Sequence, residues 1–174
     1  MNICVFCSAY SLDDRYSAPA AEFARLLGEG GHTLVWGGSD AGLMGLLADG
    51  VKAAGGKLVG ILVEMLRHKG YVGADELVVA RDLAERKAEL VSRADAIVVL
   101  VGGMGTMDEF TEVLELKKHG MFEKPVVVLD TEGFYTGLRT QLERMDAEGF
   151  LPRPLADLVT FADTPAEVFA QLKA

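Results

Sequence analysis

Two stretches of this chain, Ala96–Val101 and Val126–Leu129, are apolar at every position. A strand with one wet face alternates apolar and polar residues. A strand buried on both faces does not, and such strands belong to parallel sheets covered on each side by helices. The flanking sequence agrees. β-rich runs at Ile3–Cys7, His32–Trp36, Lys57–Val63, Glu76–Ala80, Ala96–Val101, Pro125–Asp130 and Leu158–Ala162 alternate with helical patterns. The helical patterns lie at Ser17–Gly28, Leu43–Ala54, Leu83–Ala94, Met107–His119, Phe134–Glu148 and Pro165–Lys173. This alternation predicts an α/β fold with a parallel sheet and helices on both faces. The chain of 174 residues is expected to form one domain, 1–174.

Local chemistry marks the element ends. Thr164-Pro165-Ala166-Glu167 is a capping box with proline at the first helical position. Asp82-Leu83-Ala84-Glu85 and Thr106-Met107-Asp108-Glu109 have the same form, a cap followed by an acid at the third helical position. The pairs Gly30-Gly31 and Gly55-Gly56 are expected to stop helices. Glu64–Asp75, with Arg67, His68 and Lys69, reads as a loop or short helix near the site.

Charge excludes some partners. Seventeen Lys and Arg against 26 Asp and Glu leave a net charge of −9. An acidic surface repels a phosphate backbone and an anionic leaflet, so neither nucleic acid nor membrane is an expected partner. No apolar run approaches the roughly 18 residues of a membrane span, and the N-terminus reads as a strand rather than a signal peptide. Cys4 and Cys7 form a C-x-x-C pair inside the first strand. The odd spacing sends them to opposite faces, so they read as buried hydrophobes in a reducing cytoplasm rather than as a redox motif.

Among the 20 glycines two clusters stand out, each following a strand and opening a helix. The first is Gly37-Gly38-Ser39-Asp40-Ala41-Gly42-Leu43-Met44-Gly45. The second is Gly102-Gly103-Met104-Gly105-Thr106. Ligands of open α/β sheets bind beyond the carboxyl ends of the strands, and a helix N-terminus offers free N–H groups to an anion. Both clusters are therefore expected to cradle phosphate. Neither matches G-x-G-x-x-G after the first strand or G-x-x-x-x-G-K-[ST], and no G-x-S-x-G elbow is present. The histidines His32, His68 and His119 have no metal-ligand spacing, so no metal is expected.

The segment Gly102-Gly103-Met104-Gly105-Thr106-Met107-Asp108-Glu109, with Arg86-Lys87 on the preceding helix, resembles the LOG (Lonely Guy) family. Gly37-Gly38, Gly42-Leu43-Met44-Gly45, Asp95-Ala96, Lys124-Pro125-Val126 and Glu148-Gly149-Phe150 extend the resemblance over nearly the whole chain. It implies a Rossmann-like, doubly wound, mostly parallel sheet of about seven strands, and a homodimer. It further implies hydrolysis of the N-glycosidic bond of a nucleoside 5′-monophosphate to free base and ribose 5-phosphate, with no cofactor. The substrate expected is a cytokinin riboside 5′-monophosphate or AMP. Arg86 and Glu109 are carried over as the catalytic pair. Lys87, Gly102, Gly103, Met104, Gly105, Thr106, Met107, Asp108, Gly37 and Gly38 are carried over as substrate-binding, with Glu112 and Ser8 in supporting places.

The residues by themselves also admit plainer readings. Glu109 is a helix cap in one, and Arg86 a solvated charge or an i,i+4 partner of Asp82 in another. The chain departs from the family pattern at Val101, where the family has proline, at Ser39, and at Ser8-Ala9-Tyr10, which has no glycine after the first strand. Those departures keep a second reading in play, a non-enzymatic carrier of a phosphorylated ligand like the molybdenum-cofactor carriers. PLP chemistry is not expected, since no lysine sits in a Schiff-base context.

Overall fold

The computed structural model describes residues 1–172. Its strands are β1 (Asn2–Phe6), β2 (Thr33–Trp36), β3 (Lys57–Val63), β4 (Glu76–Ala80), β5 (Ala96–Val99), β6 (Val126–Leu129) and β7 (Thr160–Ala162). They form one sheet in the order β4-β3-β2-β1-β5-β6-β7, and every pairing is parallel. The helices are α1 (Asp14–Glu29), α2 (Gly42–Ala53), α3 (Leu83–Arg93), α4 (Met104–Lys118), α5 (Thr136–Ala147), α6 (Leu155–Leu158) and α7 (Pro165–Leu172). The last residue of the sixth expected helix, Lys173, lies outside the described residues. No described helix is long and apolar enough to cross a membrane.

The apolar strand runs act as their composition demands. Ala96–Val99 and Val126–Leu129 are buried throughout. Successive side chains alternate between two cores. One gathers Ile3, Val5 and Cys7 with Phe23, Leu27, Leu43, Leu47 and Phe169 of α1, α2 and α7. The other gathers Cys4 and Phe6 with Leu90, Phe110, Val113 and Leu142 of α3, α4 and α5. Cys4 and Cys7 thus lie on opposite faces, both buried and free. Burial pushes both thiols up, which keeps them protonated and unreactive. Trp36, fully buried, donates its indole N–H to the Ser39 carbonyl at 3.3 Å.

Several boundaries move for identifiable reasons. α1 starts three residues before Ser17, because Asp13 accepts from Arg15 N–H at 3.1 Å and supplies a cap. Pro19 then lies inside the helix. The glycine stops behave as expected: Gly31 and Gly55 take φ of +66° and +83° just past α1 and α2. At Asp82 and Thr164 the caps form, with Glu85 N–H and Glu167 N–H as donors. Their acids reach one residue further back than in a standard box, to Arg81 N–H and Asp163 N–H. Glu64–Lys69 is a short 3-10 helix, and it adjoins the first glycine loop: Asp40 N–H donates to the Lys69 carbonyl and Tyr71 N–H to the Gly38 carbonyl.

The chain winds from β1 to β4 on one side of the sheet and resumes beyond β1 with β5. That reversal is the switch point at which open α/β sheets hold ligands. The β1 and β5 ends therefore frame the place to look for chemistry.

Candidate active site

A cleft of about 430 Å³ opens at those two strand ends. Cys7, Ser8, Ala9 and Tyr10 line it from the β1 end, and Gly103, Met104, Gly105, Thr106 and Glu109 from the start of α4. Arg86 and Met44 complete the wall. The volume is that of an ordinary small-molecule site.

α4 begins at Met104, not at Met107 as its capping pattern suggests, and its N-cap is Gly103 without a side-chain cap. Thr106 is then a third helical residue rather than a cap, and Glu109 lies nearly a full turn deeper. The capping reading of Glu109 is thereby corrected: its side chain is free for other work. The shift has a packing cause. A Cβ on Gly102 would meet Thr106 Oγ1 at 2.1 Å, so only glycine lets the first turn of α4 fold against the strand end. Positions 103 and 105 differ. A Cβ there would meet nothing within 4 Å, because they face the open cleft. The N–H groups of this turn have no side-chain cap, and a helix start of that kind is suited to an anion.

Arg86 reaches the same cleft from α3. Its Nε donates to the Ile61 carbonyl at 2.9 Å and its Nη1 to Glu109 Oε1 at 2.7 Å. The pair is nearly buried, with side chains 13% and 8% exposed. Arg86 has no contact of the expected kind with Asp82, which is engaged in capping α3. Burial pushes the Glu109 carboxyl above the usual carboxylate value, and the Arg86 guanidinium only partly offsets that. A raised carboxyl in the second turn of a helix whose start lines the same cleft suits proton exchange with a ligand.

The first glycine cluster does different work from the second. A Cβ on Gly37 would stand 2.3 Å from Arg86 Nη2, so glycine is what admits the guanidinium. Gly38, at φ +72°, packs against Ile61 and Leu62. Gly42, at φ +55°, lies against the Ala9 and Tyr10 carbonyls, and Gly45 against the Asp40 carbonyl. The space expected for a phosphate at this loop is taken by the protein's own atoms, and Gly37 and Gly38 do not line the cleft. Gly37→Ala is expected to leave the fold intact, since the clash is with a side-chain tip, yet to dislodge Arg86. A misplacement of about 1 Å costs on the order of 100-fold in rate. Steady-state kinetics together with a melting curve check this.

Lys87 turns away from the cleft. It pairs with Asp108 at 3.0 Å and with Glu112, and these two carboxylates hold its ammonium above the ordinary lysine value. The trio straps α3 to α4 beside Arg86 and Glu109. Met107 packs into the α3–α5 core. Ser8, at the cleft, accepts from Tyr10 N–H at 3.0 Å and donates its own N–H to the Val101 carbonyl. Cys7, Ala9, Tyr10 and Met44 line the cleft without being among the expected site residues. Their position at a strand end next to the sheet reversal was the signal that could have found the first three. Among the described residues no group of three or more His, Cys, Asp or Glu could hold a metal.

Residues 44–172 match the protein family described as possible lysine decarboxylase. The chain is 34% identical to the cytokinin riboside 5′-monophosphate phosphoribohydrolase LOG5 of Arabidopsis thaliana, over 99% of this chain and 77% of that protein. It is 34% identical to the cytokinin riboside 5′-monophosphate phosphoribohydrolase of Mycobacterium marinum, over 92% and 87%. Among solved structures, the molybdenum cofactor binding protein from Rippkaea orientalis superposes with a TM-score of 0.78. It is 22% identical, over 99% of this chain and 94% of that one. The molybdenum cofactor carrier protein of Chlamydomonas reinhardtii superposes at 0.75. It is 25% identical, over 99% and 95%.

Proposed function

We infer that this chain, which belongs to the LOG family, is a phosphoribohydrolase that cleaves the N-glycosidic bond of a nucleoside 5′-monophosphate. The substrate is a cytokinin riboside 5′-monophosphate or AMP, and the products are the free base and ribose 5-phosphate. The observation that carries this is the buried Arg86–Glu109 pair set beside the uncapped start of α4.

The chemistry follows from that arrangement. The N–H groups of Met104, Gly105 and Thr106 receive the 5′-phosphate at the positive end of the helix. Gly103 and Gly105 leave the room it needs. As the bond between C1′ and the base nitrogen breaks, positive charge develops on the ribose, as in other glycoside hydrolyses. The Glu109 carboxylate stabilises that charge and takes a proton from the water that attacks C1′. The departing base leaves with the bonding electron pair and takes a proton from solvent, while Glu109 returns to solvent the proton it took from water, so one water is divided between C1′ and the base. Arg86 keeps Glu109 aimed and adds a cation for the phosphate or ribose oxygens. Ser8 contacts the sugar side of the cleft. Lys87, Asp108 and Glu112 hold α3 on α4, Gly37 admits Arg86, and Gly102 admits Thr106. No lysine lines the cleft, so the decarboxylase description has no amine to act through.

The test is direct. Incubation with AMP and with isopentenyladenosine monophosphate, followed by chromatography, is expected to yield free base and ribose 5-phosphate. A ligand that co-purifies intact, with no base released from any nucleotide, would instead establish the carrier reading.

A homodimer is part of the same proposal. Met65, Leu77 and Leu83 are exposed along the β4 edge of the sheet, and Val63, Met65, Leu83 and Ala84 line one apolar groove there. A second copy covers this face. Light scattering is expected to give twice the chain mass, and Leu83→Asp to give the monomer. The cytoplasm, whose reducing poise suits two free thiols, is the proposed compartment, and fractionation of the source cells tests it.

A further inference from the structure

The two most exposed large side chains of the cleft share one property: both stand largely in solvent. Tyr10 is 79% exposed and Met104 is 85% exposed, yet both line the cavity that holds Arg86 and Glu109. They arrive from different loops, one after β1 and one at the start of α4. Stray exposed apolar residues are ordinary on a surface. Two in the lining of one cleft, beside the Arg86–Glu109 pair, are less so.

The Tyr10 backbone is also held unusually firmly for an unpacked side chain. Its N–H donates to Ser8 Oγ at 3.0 Å, and its carbonyl accepts from Leu43 N–H at 3.2 Å. Gly42, at φ +55°, approaches so closely that a Cβ there would stand 2.4 Å from the Tyr10 carbonyl carbon. The main chain is thus clamped from β1 and α2 while the ring projects free. Its hydroxyl makes no hydrogen bond among the described residues. Met104 is similar: its backbone belongs to the first turn of α4, while its thioether is left in solvent.

We propose that Tyr10 and Met104 grip the base of the nucleotide, Tyr10 by stacking on its π-face and Met104 through its polarisable sulfur. The proposal rests on the phosphoribohydrolase reading and specifies its substrate class as nucleotides with a planar heteroaromatic base. Stacking reads a face rather than a hydrogen-bond pattern, so it tolerates several bases. A thioether is suited to an irregular or alkylated edge, because it is flexible and makes favourable contacts with rings. The clamp excludes water from the ring side of the bond that breaks and leaves the phosphate end to the helix N-terminus. Selection against a baseless sugar phosphate then belongs to these two side chains.

Titration calorimetry with AMP and with ribose 5-phosphate separates the two ends of the ligand. Glu109→Gln serves as the parent, because it is expected to bind with turnover too slow to disturb the titration. Adding Tyr10→Ala is expected to weaken AMP on the order of tenfold, within the range measured for base–aromatic stacking, and to leave ribose 5-phosphate unchanged. Tyr10→Phe keeps the ring and is expected to bind AMP like the parent, and Met104→Ala to act in the direction of Tyr10→Ala with a smaller effect. An equal loss for both ligands would show a general disturbance of the cleft and overturn the proposal. So would an unchanged AMP affinity, or no AMP binding at all. Since binding is read without turnover, a wild-type protein that releases no base would refute the hydrolase reading alone, and the base clamp would still be decided by the calorimetric ratio.

Discussion

Glu109→Gln is expected to lower kcat by about 10²–10⁴-fold, the usual weight of a positioned general base, while the fold and phosphate binding survive. The amide is isosteric and still accepts from Arg86 Nη1, so the bond at 2.7 Å has a substitute. What is lost is the negative charge beside the developing ribosyl cation and the ability to take a proton from water. Neutralising Glu109 removes the desolvation cost of its carboxylate but leaves the nearly buried Arg86 guanidinium with only an amide oxygen as partner, so the melting temperature is expected to fall, by less than for Arg86→Ala. Turnover by chromatography and a thermal melt check both halves. Undiminished turnover in a folded variant would show that Glu109 serves only to hold Arg86.

Arg86→Ala is expected to lower activity as well and to cost more stability than Glu109→Gln. It leaves Glu109 buried and without its cation. Breaking a fully buried pair costs roughly 3–5 kcal/mol; the cleft admits water, so about 2 kcal/mol is expected here. The loss depends on pH with a definite sign. Glu109 already has a folded pKa above its unfolded value, and removing Arg86 takes away the largest influence that lowers it. Stability from such a group is fully present below the unfolded pKa and is lost as pH rises through the folded one. The variant is therefore expected to approach the wild type in acid and to fall behind from weakly acid pH upward. Denaturant melts across that range measure it. Adding Glu109→Gln to Arg86→Ala should restore much of the stability and flatten the dependence, though not the activity. A deficit independent of pH would mean that Arg86 contributes by packing rather than by charge.

Much of this was legible in the residues. The unbroken apolar runs at β5 and β6 required burial on both faces. The alternation with helices required a parallel sheet, and the glycine stops ended helices where they stood. Arg86 and Glu109 are visible in sequence as a pair of motifs, 23 positions apart, and the structure joins them at 2.7 Å. The helix start at Met104 was not legible. Thr106 and Glu109 have the spacing of a cap and its acid, and only the contact of Thr106 with the missing Cβ of Gly102 overrides that local preference.

The two glycine clusters mark the same division. Both consist of glycines after a strand, and in sequence they are equivalent candidates for a phosphate. What a glycine is for depends on what occupies the place of its absent side chain, and that is a tertiary fact. At Gly37 it is the Arg86 guanidinium, at Gly42 the Tyr10 carbonyl, and at Gly103 and Gly105 open space. By itself the sequence determined the sheet and the layers, which rest on periodicity and residue type, and the family, which rests on the resemblance of its motifs. The tertiary structure decided which loop is free to receive a ligand, which charges face it and which merely brace it. Those depend on distances between segments that are remote in the chain.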